Sequence, residues 1–416
     1  MDGVMAENQR LFVIGGGSSG MMAALSAARR GPVVILLETR DRVGKKLLAT
    51  GNGRCNLTNS DSSLSRFHGG DSAFIAAVLS RFPAASVIDF FEELGISCQA
   101  EGEGRIYPRS GQASAVLDVL RWELERLQVE VRTGHEVRAI VRKGRGFALQ
   151  LAAGGELRAE RVVLACGGMA GPQFGSDGSG LRLAAALGHR LVDPVAALVP
   201  LRLRTDFLRK LKGVSFEAYG EVRCGDEVLR GEQGEFLFTD SGISGPPVLQ
   251  LSGAASRALK ANKGPCIVLD LFPAMSLEEL ASALEIRFRC QGHKSIADGL
   301  VGLLHKRLIP VFLSAAWIDS PIMPGAEISV AARLGLARIL KGWSLPVSGT
   351  MPWPEAQVTA GGIALDEVNP ETLESRLVPG LFFCGEILDV DGDCGGFNLQ
   401  WAWSSGWLAG LSAAGR

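Results

Sequence analysis

The 416-residue chain has no dense run of lysine or arginine; 43 basic residues stand against 44 acidic ones, a formal net charge of −1. That balance lacks the electrostatic footprint of a nucleic-acid or anionic-membrane binder, so neither is expected as a partner. Paired cysteines are missing as well. The eight cysteines stand at 55, 98, 166, 224, 266, 290, 384 and 394, none in CxxC spacing, which argues against a zinc knuckle or a thioredoxin-type site. With no clear secretory signal, reduced thiols in a cytoplasmic setting are the expectation, most of them acting as small buried hydrophobes. His68, His135, His189, His293 and His305 lack metal-ligand spacing and read as surface or turn residues, so no metal is expected. Asp389, Asp391 and Asp393 alternate, but no downstream glutamate completes a calcium loop, and they read as turn residues. Two charge-free windows, Leu11 to Ala28 and Gly395 to Gly415, are broken by glycines or by Asn398, Gln400, Ser404 and Ser405. Both read as soluble elements rather than membrane spans.

What is present is a foldable chain: 47% hydrophobic and 21% charged residues, long enough for two to three domains at ~150 residues each. RLFVIGGGSSGMMAALSAARRGPVVILLE reads as strand, turn, helix and strand. Gly15, Gly17 and Gly20 fit G-x-G-x-x-G, Ala24 and Ala28 give the helix a small face, and Pro32 ends it. The first glycine permits a tight turn, the second lets backbone approach a pyrophosphate, and the third allows close helix–strand contact. The helix start, including Ser19, offers unpaired N–H groups and a positive dipole end to an anion. Glu38 ends the second strand, where a charged acceptor for ribose hydroxyls is worth about 1.5–3 kcal/mol per hydrogen bond. Together these predict dinucleotide binding.

Three further features favour FAD over NAD as the tightly held cofactor. RVVLACGG, Arg161 to Gly168, is a strand entering the Gly167-Gly168 turn after a meander of short strands from about Val129. This resembles the second signature of two-dinucleotide-binding-domain flavoproteins. GLFFCGE ends in Gly385-Glu386, where the same flavoproteins hold the ribityl chain. Gly395-Gly396 opens a helix, FNLQWAWSSGWLAGLSAA, whose start at Gly396, Phe397, Asn398 and Leu399 is placed to face the flavin pyrimidine. A helix end contributes about 0.3–1 kcal/mol, or tens of millivolts for a two-electron couple. It tunes a flavin without defining the reaction.

TGNGRCNLTN (Thr50 to Asn59), GRIYPRSGQASAVLDVL, GEFLFTDSGISGP and GEILDVDGDCGGFNLQWAWSSGWLAG resemble the YhiN/BaiN family of bacterial NAD(P)/FAD-dependent oxidoreductases, the aminoacetone-oxidase-like flavoproteins. The resemblance runs along nearly the whole chain. It implies an FAD domain split by an insert, with the Thr50–Asn59 loop crossing the cofactor. Arg54 would then serve the pyrophosphate and Asn56 the ribityl or flavin edge. Lys45 and Lys46 would add positive charge, Cys55 would be a contact rather than a catalytic thiol, and backbone near Val137 would meet the adenine. Tyr107 and Phe397 stand where the family often has phenylalanine and tyrosine, so neither hydroxyl position implies a catalytic group.

The expected fold is α/β: a Rossmann-like FAD-binding domain over residues 1–190 and 354–416. A β-rich insert is expected at 191–275 and 343–353, and a helical subdomain nested within it at 276–342. Strands are expected at Gly220 to Arg223, Glu227 to Arg230, Glu235 to Phe238 and Cys266 to Asp270. The insert has no second G-x-G-x-x-G, so NAD(P)H, if it is the donor, visits transiently. The expected activity is FAD-dependent reduction of a C=C or C=O bond in a small organic substrate lying between FAD domain and insert. An oxygen-using amine-type oxidase and a non-catalytic FAD-binding or redox-responsive protein are the alternatives. Arg105 and Arg109 either meet an anionic substrate or pair on the surface. No residue pattern marks a catalytic acid or base, and the oligomeric state is left open.

Overall fold

Leu11 to Ile14 and Val34 to Leu37 are apolar without alternation, as strands covered on both faces of a parallel sheet must be. The computed structural model describes residues 10–415 and places both in a five-stranded parallel sheet. Across the sheet the strands run Leu381–Phe383, Arg161–Leu164, Arg10–Ile14, Val33–Leu37 and Glu130–Arg132. The register sets Phe12 between Val162 and Ile35, and Val163 beside Phe382. One edge strand thus comes from the far end of the sequence. The antiparallel meander Val137–Lys143, Gly146–Leu151 and Glu156–Ala159 lies in chain order between the strands Glu130–Arg132 and Arg161–Leu164.

Two helices form the face that positions the site. The first, Ser18–Ala28, and the last, Phe397–Ala414, are apolar nearly all round and buried along most of their length, which is why both windows lack charge. They cross at van der Waals closeness. A Cβ on Gly406 would stand 2.4 Å from the Ser19 carbonyl oxygen, and one on Gly410 2.1 Å from that of Ala23. Ser26 Oγ donates to the Trp407 carbonyl at 2.7 Å across the same contact. The indole of Trp401 donates to the Gly385 carbonyl and that of Trp403 to Leu57, so two large buried side chains also fix polar partners.

Ser72–Glu93 is long and apolar enough to cross a membrane by length and composition alone. It comprises two helices, Ser72–Arg81 and Ala84–Glu93, meeting at Phe82-Pro83. The Phe82 ring stacks on Trp407, and its carbonyl accepts from Gln400 and Ser404.

The chain divides into two units, the described residues of Met1–Ala196 with Trp353–Arg416, and Ala197–Pro352. The first boundary lies six residues beyond the expected 190 (196 − 190), because the strand Leu191–Ala197 pairs with Val358–Ile363 rather than opening the insert. The second unit is a closed six-stranded barrel of Leu201–Leu203, Gly242–Ser244, Glu227–Phe238, Ser215–Cys224, Cys266–Asp270 and Trp343–Thr350. The segments expected as separate strands at Glu227 and Glu235 are one strand. The glycines between them mark close approaches: Gly231 faces the Tyr219 hydroxyl and Gly234 faces Pro247.

A helix absent from the expectation, Pro246–Lys260, packs on the barrel, with prolines in its first turn where no N–H is needed. The helices of residues 277–341 begin with a capping box in which Ser276 and Glu279 satisfy each other's backbone. They share one hydrophobic core with the barrel instead of forming a separate subdomain; Phe288, Phe312 and Leu336 join Phe236, Phe238 and Trp343.

Gly410→Val drives side-chain carbon into a backbone carbonyl that cannot move aside, and the expected loss is about 1–3 kcal/mol or more. Gly335→Ala, whose new methyl meets nothing closer than 3.8 Å, gains about 0.5–1 kcal/mol. Denaturant unfolding of the two variants beside wild type checks the contrast.

Candidate functional site

The carboxyl ends of the parallel strands converge on the glycine turn, the place where open α/β sheets bind ligands. Gly15 has φ +107, and a Cβ there would sit 2.5 Å from the Ala165 carbonyl oxygen. A Cβ on Gly20 would stand 1.8 Å from the Gly15 carbonyl, so turn, helix and neighbouring strand touch backbone to backbone. Gly17 differs: nothing lies within 4 Å of the space its Cβ would take. It is the N-cap of the first helix and has no capping side chain, which leaves the N–H groups of Ser18, Ser19 and Gly20 aimed at open space. That space suits an anion.

Glu38 is held from two sides. Its Oε2 accepts the Gly16 N–H and its Oε1 the Arg40 N–H, both at 2.8 Å, and each oxygen keeps a further lone pair. The His135 N–H donates to the Glu38 carbonyl at 2.9 Å, which brings the start of the Val137–Lys143 strand beside this carboxylate.

A second polar knot joins the expected ribityl residues. Lys46 Nζ donates to Glu386 Oε2 at 2.7 Å, and Thr359 Oγ1 donates to Glu386 Oε1 at 2.7 Å. The same hydroxyl accepts the N–H groups of Met169 and Ala170 at 2.8 and 2.9 Å. Gly168 faces this group so closely that a Cβ would meet Thr359 Oγ1 at 2.4 Å, and Gly167 beside it turns with φ +72. A Cβ on Gly385 would strike Ser19 Oγ at 2.3 Å, tying the knot to the first helix. Thr359 carried no sequence signal, since a β-branched residue inside a strand looks like any other.

The third part is the start of the last helix. Gly396, φ +103, is an N-cap without a capping side chain. Asn398 turns its side chain backwards, accepting from the Gly392 N–H and donating to the Gly392 carbonyl, and so leaves the first-turn N–H groups of Phe397, Asn398 and Leu399 to the site. Asn56 is buried beside them. Its Oδ1 has no hydrogen-bond partner, and a Cβ on Gly396 would come within 2.9 Å of it. An orphaned buried acceptor costs about 1–3 kcal/mol unless a donor arrives. A ribityl hydroxyl or a flavin N–H is such a donor, and the two open helix starts with the fixed Glu38 match the remaining chemistry of FAD.

A family model described as HI0933-like protein Rossmann domain matches residues 9–412. The chain belongs to this family. Within it, the chain is 41% identical over 409 residues to a 3-dehydro-bile acid delta(4,6)-reductase of Clostridium scindens, covering 98% of this chain and 99% of that protein. It is 31% identical over 398 residues to a ribosomal RNA dihydrouridine synthase of Escherichia coli, covering 95% and 96%. The fold is also that of the 3-ketosteroid delta1-dehydrogenase from Sterolibacterium denitrificans, solved with 1,4-androstadiene-3,17-dione. The TM-score is 0.51 at 12% identity, over 98% of this chain and 100% of that one. The HI0933-like chain is an FAD-dependent oxidoreductase of Rossmann type.

Several residues have partners or burial that their motifs did not indicate. Arg54, expected at the pyrophosphate, pairs with Glu101 through both terminal nitrogens and lies 4.2 Å over the Tyr107 ring. The Glu101 carboxylate raises its pKa above the usual guanidinium value. Lys45 pairs with Asp41, and Arg105 pairs with Glu103, one of the two roles expected of it. His189, expected on the surface, is buried, with Nε2 2.9 Å from Ser375 Oγ and its ring edge-on to Phe383. Burial lowers its pKa. Asp389, Asp391 and Asp393, expected in a turn, are buried on and beside the strand Val390–Gly392.

Cys55 is fully buried with φ +60, and desolvation pushes its thiol from 9.0 up to about 12, far from a reactive thiolate. Cys384 is raised to about 12 for the same reason. The folded state therefore keeps protons that the unfolded chain gives up above pH 9.0. This stabilisation is complete below pH 9.0 and is lost as pH rises towards 12. Denaturant unfolding at pH 8 to 11 should show falling stability, with a shallower fall in Cys55→Ala; equal slopes would place the ionisation elsewhere.

Proposed function

We propose that this protein saturates a C=C bond conjugated to a carbonyl in a small organic molecule, taking electrons from NAD(P)H as a transient donor. FAD would lie with its pyrophosphate at Gly15, Gly17, Ser19 and Gly20 and its adenosine ribose on Glu38, the adenine towards Val137. The ribityl chain would run past Gly167, Gly168, Gly385, Glu386 and Asn56 to a pyrimidine facing Gly396 through Leu399. The observation that carries the cofactor's placement is the unpaired Asn56 oxygen beside the uncapped start of the last helix. The bond class rests on the relatives: the 3-dehydro delta(4,6) system contains a C=C bond conjugated to a carbonyl, and making a dihydrouridine saturates the one in a uridine base. The near-zero net charge favours a small molecule over RNA.

The chain's own groups have defined tasks in this reading. Lys46 and Thr359 hold the Glu386 carboxylate in one orientation, so hydroxyls meet acceptors already in place. The N–H groups opening the last helix favour negative charge gathering on a neighbouring ring. Bound FAD supplies the hydride chemistry itself.

Glu38→Ala should weaken FAD binding about ten- to a hundredfold, the equivalent of about 1.5–3 kcal/mol. Fluorescence titration of the deflavinated protein measures it, and an unchanged affinity would move the ribose away from Glu38. Anaerobic mixing with NADH or NADPH should bleach the flavin, and a conjugated enone should restore its colour. If neither nucleotide bleaches it, NAD(P)H is not the donor. If air restores the colour with peroxide release and enones do not, the oxidase reading replaces this one.

A further inference from the structure

Buried polar atoms left without a partner are rare in folded chains, and each one asks what is meant to meet it. Among the described residues five side-chain atoms are in that position: Arg40 Nε, Asn56 Oδ1, His189 Nδ1, Thr205 Oγ1 and Arg333 Nε. Both arginines donate through another nitrogen, Arg40 to the Pro172 carbonyl and Arg333 to Glu285. The histidine has a carboxylate beside it. Ser375 Oγ accepts the Leu377 and Val378 N–H groups, so its own proton goes to His189 Nε2. His189 Nδ1 therefore carries the ring proton, and Glu367 Oε2 stands 3.2 Å from it. Thr205 lies in the second unit, and its hydroxyl can rotate. Asn56 Oδ1 is an acceptor only, it belongs to the unit that carries the dinucleotide motif, and it receives nothing.

Asn56 is 7% exposed, and its backbone is fixed on both sides. Before it, Cys55 is held in the left-handed region at φ +60, with its N–H on the Thr50 carbonyl at 3.0 Å. A buried non-glycine residue in that region marks backbone that its surroundings over-determine. After it, the Leu57 N–H donates to the Ile106 carbonyl at 2.8 Å, and the Leu57 carbonyl accepts from the Trp403 indole at 2.9 Å. The amide oxygen borders the start of the last helix. A Cβ on Gly396 would stand 2.9 Å from it and 2.5 Å from the Thr58 carbonyl oxygen. No capping side chain fits at that position, and Asn398 is turned back on Gly392 through both of its amide atoms. Helix start and oxygen thus form one corner, with N–H donors on one side and a single acceptor on the other.

We propose that this corner reads the pyrimidine edge of the flavin, with Asn56 Oδ1 accepting the N3–H and the helix start facing the C2 carbonyl; this rests on the FAD placement above. That edge presents a carbonyl, an N–H and a carbonyl in turn. Donors beside an acceptor on the protein therefore meet an acceptor beside a donor on the ring. A ribityl hydroxyl would also satisfy the oxygen, but it gathers no charge on reduction and leaves the helix end without the anion it favours. A ring pinned at N3 cannot slide along the helix start, so its opposite, reacting part is held in one place. Asn56 is in this reading a determinant of flavin orientation rather than a contact to the sugar chain.

The test titrates the deflavinated protein, followed by flavin fluorescence, with FAD, with N3-methyl-FAD and with FAD analogues that each lack one ribityl hydroxyl. Wild type should bind N3-methyl-FAD about ten- to a hundredfold more weakly than FAD, because a buried acceptor stays unpaired. Asn56→Ala removes the acceptor and makes room for the methyl group, so it should bind FAD and N3-methyl-FAD within about threefold of each other. Its discrimination against the deoxyribityl analogues should match that of wild type. Wild type that binds FAD and N3-methyl-FAD equally overturns the proposal without any variant and leaves the FAD placement standing. An N3 preference that Asn56→Ala retains, or a ribityl preference that it loses instead, gives the oxygen another partner and overturns the proposal as well. Protein that takes up neither FAD nor its analogues removes the cofactor placement and this contact together.

Discussion

Everything that gathers at the site depends on how closely the first and last helices meet. Gly406 and Gly410 lie where a single methyl group would collide with the carbonyls of Ser19 and Ala23, so the two backbones touch. The distance is therefore set by backbone rather than by deformable side chains. Ser26 and Trp407 add one cross-helix hydrogen bond. Each helix start, at Gly17 and at Gly396, is left without a capping side chain.

The polar knot has a similar logic. The Lys46–Glu386 pair is partly buried, and a pair of that kind contributes little net stability, since desolvation offsets the attraction. Its effect is directional. With one oxygen on Lys46 and the other on Thr359, Glu386 cannot rotate, and Thr359 in turn holds the Met169 and Ala170 amides. A strand end, a glycine turn and a short helix become one rigid frame.

Local patterns disclosed the parts whose physics is local. An unbroken apolar run, glycines at fixed steps and an acid at the strand end predicted the strand from Leu11, the first helix and Glu38. The structure brings these together with Gly385 and the last helix. Long-range choices were hidden. Arg54 has several possible anions within reach of its long side chain, and Glu101, with the Tyr107 ring beneath, takes it. Asp393 and His68 are 325 residues apart, and only antiparallel pairing of two three-residue strands makes them neighbours. Barrel closure between Leu201–Leu203 and Trp343–Thr350 is equally non-local, which is why the insert reads as a string of short strands. The helix Pro246–Lys260 hid behind two prolines that, at a helix start, break nothing.

Joining the two extremities has a consequence for biosynthesis. Ser26 and its partner Trp407 are 381 residues apart, so a ribosome adding about 5–20 residues per second separates them by about 20–80 seconds. Through that interval the nascent amino-terminal half carries an apolar helix whose covering surface does not yet exist. The barrel, encoded wholly between the two halves, has its own core and can condense first. Such a polypeptide matures from its middle outwards, and its early helix is the segment a chaperone has most reason to shield.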